Sequence, residues 1–307
     1  AAKRGEVYSS EFAGKRLALG ADGGRVRMRE GGKRGRRNKK GRRRFRTPWR
    51  EPKLVNAYTF DDKGKQTREA VPLYDGTLGD ADAAFEILVA FRMAEEGLVT
   101  ELKLRGAAKA KLLVLTGDGA VWIWNRADDL ARELGVPLDR ITKVVDFYHA
   151  VENLGSAADD RAWAVADRKR WVRRQRRLLH AGKIEAVIES IRALCVGRNA
   201  KKVAVHLRYF EDRREFMTYD VFRTKGIPCG SGATESAIRR VVNLRLKGPG
   251  IFWEPANAER MLHLRAYLKA GRWEELILRV IHRTPHGRPC YANAHSRTAT
   301  FASRRAA

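Results

Sequence analysis

The chain has 307 residues, enough for one large domain or two ordinary ones, and 44% hydrophobic content permits a sizeable core. Sixty-three Lys and Arg against 36 Asp and Glu leave a formal charge of +27 and a pI near 10.6, an excess that points to a polyanionic partner, nucleic acid before membrane. No apolar run approaches the ~20 residues that span a bilayer, no signal-peptide pattern is present, and three distant cysteines, Cys195, Cys229 and Cys290, argue against a disulfide framework or a C-x-x-C zinc site and fit a reducing cytoplasm.

In chain order, residues 1–14 read as a linker remnant, and the missing initiator Met suggests a preceding module. RLALGADGGRVRMRE, 16–30, reads as two strands meeting at Asp22-Gly23-Gly24. Residues 33–50 carry 11 basic residues in 18 and no acid, the composition of a loop that cannot pack. A strand is expected at 53–60, a turn at Asp75-Gly76, and a helix at 79–98 with Phe85, Leu88, Val89 and Met93 on one face. KLLVLTGDG, 111–119, is a continuous apolar run of the kind that is buried on both faces of a sheet. A helix near 120–134, a second buried strand at 141–147, a helical block over 158–195, and helices or strands near 202–222 follow. The next helix carries Glu235 and ends near Gly248. The tail beyond about residue 285 reads as disordered. Strands alternating with helices argue an α/β sheet with a parallel portion.

Three acids close buried or strand-like runs: Asp22 after LALGA, Asp118 after LLVLTG and Asp146 after ITKVV. Ligands gather at the C-terminal ends of strands in open α/β sheets, where a carboxylate is costly to keep ionised without a positive partner. Each also has a plain reading. Asp22-Gly and Asp118-Gly suit turns, and Asp146-x-x-His149 suits a helix cap. Glu235, Ile238, Val242 and Leu246 recur at i, i+3, i+7 and i+11, so an acid opens an otherwise aliphatic stripe. Taken as a set, oxygen-only ligands in a very basic chain suit Mg²⁺ or Mn²⁺ and phosphodiester chemistry rather than Zn²⁺.

The blocks DGTLGDADAAFEIL, GDGAVWIWNR, VVDFYHAVENL, GSGATESAIRRVVNLRLKGPGIFW, ANAERMLHLRA and GRWEE resemble bacterial insertion-sequence DDE transposases of the Kra type, relatives of the Lre-type and Mutator-like groups. The resemblance spans roughly residues 15–280. It implies an RNase H-like mixed sheet flanked by helices, with a helical insertion at 155–222 dividing core segments 15–154 and 223–284, and a basic tail at 285–307. It implies Asp22, Asp118 and Glu235 as the catalytic, metal-holding acids, with two Mg²⁺ or Mn²⁺ ions. Asp146 and His149 occupy the place of an auxiliary motif there, which leaves Asp146 as an auxiliary or alternative acid beside Asp118, the preferred second ligand.

Transposon-end and target DNA, a homodimer or larger assembly, and a bacterial cytoplasmic, nucleoid-associated location are implied likewise. For phosphate contacts the basic segments offer Arg36, Arg37, Lys39, Lys40, Arg42, Arg43 and Arg44 in the first run and Arg173 and Arg174 in RKRWVRRQRR. Arg239, Arg240, Arg245 and Lys247 follow Glu235 on its own helix. Trp122 and Trp124 read as core, and Trp253 as the better candidate for base stacking.

Overall fold

A computed structural model describes residues 10–283 apart from 32–38, 40, 42–44, 80–97, 120–123, 125, 126 and 162. Its centre is a five-stranded sheet in the order β7-β6-β1-β8-β9, built from β1 (Arg16–Gly23), β6 (Lys53–Thr59), β7 (Leu73–Thr77), β8 (Leu112–Gly117) and β9 (Ile141–Val145). Strands β1, β6 and β7 pair antiparallel, while β1, β8 and β9 run parallel. The uninterrupted apolar run of β8 is explained by its place between two parallel neighbours, where both faces are covered.

The segment after β1 does not fold back on it as expected. Asp22-Gly23 continues the strand, with Asp22 opposite Leu54 of β6. Residues 26–31 and 45–50 instead form their own ribbon, in which β2 (Val26–Arg27) pairs β5 (Trp49–Arg50) and β3 (Glu30–Gly31) pairs β4 (Phe45–Arg46). Asp75-Gly76 is likewise no turn: it lies inside β7, opposite Val55 and Leu54.

Helices cover both faces. They are α1 (Leu98–Leu104), α2 (Ala127–Leu134), α3 (Phe147–Asp160), α4 (Val165–His180), α5 (Ile184–Arg192), α6 (Ala200–Glu211), α7 (Tyr219–Thr224), α8 (Gly232–Ile238), α9 (Pro255–Lys269) and α10 (Trp273–Arg283). The block at 158–195 is thus three helices, α4 being ended at Gly182 with φ of 72°. Residues 80–97 of the expected 79–98 helix, with Phe85, Leu88, Val89 and Met93, lie outside the described residues, as do Trp122 and the tail beyond 285.

Two apolar clusters result. The larger joins Leu17, Leu19, Leu113 and Leu115 to α2, α3, α5 and α7; the smaller joins Val26, Met28, Leu54 and Tyr74 to α8 and α9. Strand order, mixed direction and helices on both faces make this an RNase H-like α/β fold. No described helix is long and apolar enough to cross a membrane.

Candidate active site

Alternation along β1 decides which way Asp22 faces. Ala18, Gly20 and Asp22 share one side of the strand, and Gly20 faces α8. Gly20 is also the register partner of Thr116 on β8 and of Asn56 on β6. Two residues further along, the parallel pairing of β1 and β8 sets Asp22 beside Asp118 at the C-terminal ends of adjacent strands, the ligand-gathering edge of such a sheet.

Helix α8 is fastened over this edge by a buried polar layer. Thr234 Oγ1 donates to Asn56 Oδ1 at 2.9 Å, and Thr116 Oγ1 donates to the Leu19 carbonyl at 3.4 Å. Sequence reading missed all three residues. The signal for Asn56 was present: it is a lone amide within the otherwise buried run of β6.

Glu235 sits in the first turn of α8 and is exposed. This corrects the stripe derived from its spacing at its first member only: Ile238, Val242 and Leu246 are buried as expected, and Glu235 is not. The buried face begins at Thr234 and runs through Ala237, Ile238, Val241 and Val242 to Leu246, with Glu235 on its border. The helix widens into a π-turn at Arg239–Asn243 before a last turn at Leu244–Leu246. Arg265 of α9 stabilises that widened turn, its guanidinium donating to the Val241 carbonyl at 2.8 Å and to the Arg240 carbonyl. Glu235 Oε1 accepts from Ser231 Oγ at 2.9 Å.

The acids share one electrostatic neighbourhood. Burial pushes the Asp22 carboxyl above its ordinary range, and the nearby Asp118 and Glu235 carboxylates add to the rise. The Gly23 amide, donating to Asp22 Oδ1 at 2.6 Å, and His149 oppose it.

The Asp118-Gly119 loop is held from α6 and the residues beyond it. Tyr209 Oη donates to the Asp118 carbonyl at 3.0 Å, and Arg213 Nε donates to the Gly119 carbonyl at 2.6 Å. Gly119 adopts φ of 92°, and a Cβ there would stand 2.9 Å from the Tyr209 ring.

Asp146 is committed elsewhere. It is fully buried and caps α3: Oδ1 accepts from the His149 amide at 2.8 Å, and Oδ2 accepts from the Ser231 amide. It therefore welds the end of β9 to the turn that launches α8. Of the readings open to Asp146, the cap is the one the geometry shows. The half-buried His149 ring pairs with Glu152, Nδ1 to Oε2 at 3.3 Å.

Among the described residues, no three His, Cys, Asp or Glu side chains converge closely enough to hold a metal ion as they stand. Asp22 and Glu235 each spend an oxygen on a local donor. By donor type, Asp22, Asp118 and Glu235 nevertheless fit a hard cation, and Asp22, raised chiefly by burial and further by the other two carboxylates, is an acid that a bound cation would help keep ionised.

The basic residues divide. Arg36, Arg37, Lys40, Arg42, Arg43 and Arg44 lie outside the described residues, while Lys39 is exposed. Arg173 and Arg174 are exposed on α4, which packs on α3, α5 and α7. Arg239, one turn beyond Glu235, and Lys247, at the far end of the same helix, are exposed. Arg240 instead donates to Tyr74 Oη at 2.7 Å, and the Arg245 guanidinium lies 5.8 Å from the centre of the Trp253 ring. Trp253 is half-buried and donates to the Leu246 carbonyl at 3.0 Å; Trp124 is buried and stacks on Phe216.

No family model matches the chain, and no curated protein matches it. Among solved structures the chain is similar to the Drosophila P element transposase strand transfer complex, at 10% sequence identity and a TM-score of 0.33, covering 85% of this chain and 78% of that one.

Proposed function

We propose that this chain is the catalytic domain of a DDE-type DNA transposase of the bacterial insertion-sequence kind. The observation that carries the reading is the placement of Asp22 and Asp118 on adjacent parallel strand ends, facing the helix that bears Glu235. The motif resemblance and the formal charge of +27 support it.

In this reading Asp22, Asp118 and Glu235 hold two Mg²⁺ or Mn²⁺ ions, which when bound supply activation of an attacking oxygen and charge stabilisation at the leaving one. The chain's own part is positioning. The Thr234–Asn56–Thr116 layer fixes the height of Glu235 over the sheet, Asp146 fixes the start of its helix, and Tyr209 and Arg213 fix the loop that presents Asp118. Arg239 and Lys247 draw the DNA backbone toward the acids and set its register without reading sequence. Water cuts the element's end first; the 3′-OH released then attacks target DNA. Paired ends require a dimer or larger assembly.

The test is cleavage and joining of labelled DNA carrying the element's ends, in Mg²⁺, Mn²⁺ or EDTA. Joined products that need the metal and all three acids support transposition. Metal-dependent cutting without joining identifies a nuclease on the same fold, and DNA binding without either identifies a non-catalytic remnant.

A further inference from the structure

The end of the Glu235 helix and the β2–β5 ribbon line a cleft of about 720 Å³, with Arg27, Trp49, Arg239, Asn243, Lys247 and the Gly248–Ile251 loop among its walls. That volume suits one nucleotide-sized group. Among the described residues, three cations line it and no carboxylate does.

Trp49 is unusual for a tryptophan in being half exposed, at 50%. It is nonetheless held in place, because the Arg27 guanidinium lies 4.8 Å from its ring centre across the β2–β5 pair. The pattern repeats one step along the ribbon, where Arg29 lies 4.7 Å from the ring of Phe45, itself 40% exposed. The ribbon is tied to the far wall of the cleft. Trp253 N donates to the Arg27 carbonyl at 3.0 Å, and Arg29 N donates to the Trp253 carbonyl at 2.6 Å. Residues 32–44, which join its strands, hold 9 Lys and Arg in 13 residues.

We infer that this cleft takes an unpaired nucleotide of a DNA strand, its base against the Trp49 indole and its phosphates on Arg27, Arg239 and Lys247. A base inside a duplex has both faces covered by its neighbours, so only an unpaired base can lie flat on an exposed indole. Stacking of this kind is indifferent to sequence, and cations beside the ring hold the backbone. Arg239 stands one turn beyond Glu235 on the same helix, so a strand crossing the acids enters the cleft directly. The inference deepens the proposed transposase function and rests on it for the identity of the strand: the site would receive the single-stranded segment next to the bond being cut or joined.

The experiment is equilibrium binding of the full chain, in EDTA, to a short blunt duplex and to the same duplex with three unpaired thymidines at one end. The unpaired end is expected to tighten binding about tenfold, the scale of one stacked base. Trp49→Ala should abolish that gain and leave blunt-duplex affinity unchanged, while Trp49→Phe should keep most of it; the exposure of Trp49 makes both variants foldable. Equal binding of the two DNAs by wild type, or equal weakening of both by Trp49→Ala, overturns the inference.

Metal-dependent cleavage, assayed on the same preparations, separates the two proposals. Cleavage without overhang preference leaves the acid site and removes the cleft. Overhang preference that depends on Trp49, without any cleavage, keeps the cleft and removes the transposase reading.

Discussion

Gly20 of β1 and Thr234 of α8 approach so closely that no side chain fits between them: a Cβ on Gly20 would collide with Thr234 Oγ1 and stand 2.8 Å from Asn56 Oδ1. Gly20 lies two residues before Asp22, and Thr234 immediately precedes Glu235. The contact therefore sets the distance between two of the three acids. Gly20→Ala should lift α8, costing about 1–3 kcal/mol of stability by overpacking and lowering cleavage by about 100-fold, the usual penalty for a shift of ~1 Å in catalytic groups. Urea denaturation and a cleavage assay check the two effects separately.

Asp146 should behave as a structural acid. Asp146→Asn replaces one of two acceptor oxygens with a donor that faces a backbone N–H, at a cost of about 1–3 kcal/mol. Activity should fall with stability, and Mn²⁺ in place of Mg²⁺ should not restore it. A variant of wild-type stability whose activity returns in Mn²⁺ would instead mark Asp146 as a metal ligand.

The raised Asp22 carboxyl gives a sign that distinguishes a functional acid from a stabilising one. Its folded-state pKa lies above the unfolded value, so Asp22 favours the fold most below that unfolded value and progressively less as pH rises through the folded one. At neutral pH the charge works against folding. Asp22→Asn should raise the thermal midpoint by on the order of 1–2 °C while eliminating cleavage. A lower midpoint, seen by calorimetry at pH 7, would contradict the reading.

His263 of α9 sits between Asp75 of β7 and Glu259, 3.5 Å from each. Asp75 chiefly, with Glu259, raises its pKa to about 10. Its contribution is complete below the unfolded value of about 6.5 and disappears as pH climbs through about 10. The ring is 42% exposed, so solvent screening keeps the effect small. Denaturant midpoints of wild type should fall over that window more than those of His263→Gln; parallel curves would show that the pair carries no charge-dependent stability.

What could be read in the chain follows from where local pattern and tertiary demand agree. LLVLTG announces β8 because a strand buried on both faces has no polar alternation to confuse it. The two Asp-Gly pairs at 22–23 and 75–76 were misleading because Gly there answers a different need. Gly76 keeps a negative-side backbone and is small because a Cβ would press on the Lys53 carbonyl and Leu262 of α9. Spacing placed Ile238, Val242 and Leu246 correctly on the buried face of the Glu235 helix. It missed that this face opens at Thr234 rather than Glu235, because the Thr234–Asn56 bond to β6 that settles it leaves no local trace. Asp118 and Asp22 were identifiable as strand-end acids, but the register that sets them side by side exists only once β1 and β8 pair.

The most direct test is Mg²⁺-dependent nicking of element-end DNA by wild type and Glu235→Gln, with DNA binding measured on the same samples. Glu235 is exposed, and Gln keeps an oxygen that can accept from Ser231 Oγ, so the substitution should leave folding and DNA affinity intact. Nicking in wild type that vanishes in Glu235→Gln, with binding unchanged, is the expected result. Nicking of equal rate in both proteins would show that the three acids do not work as one site.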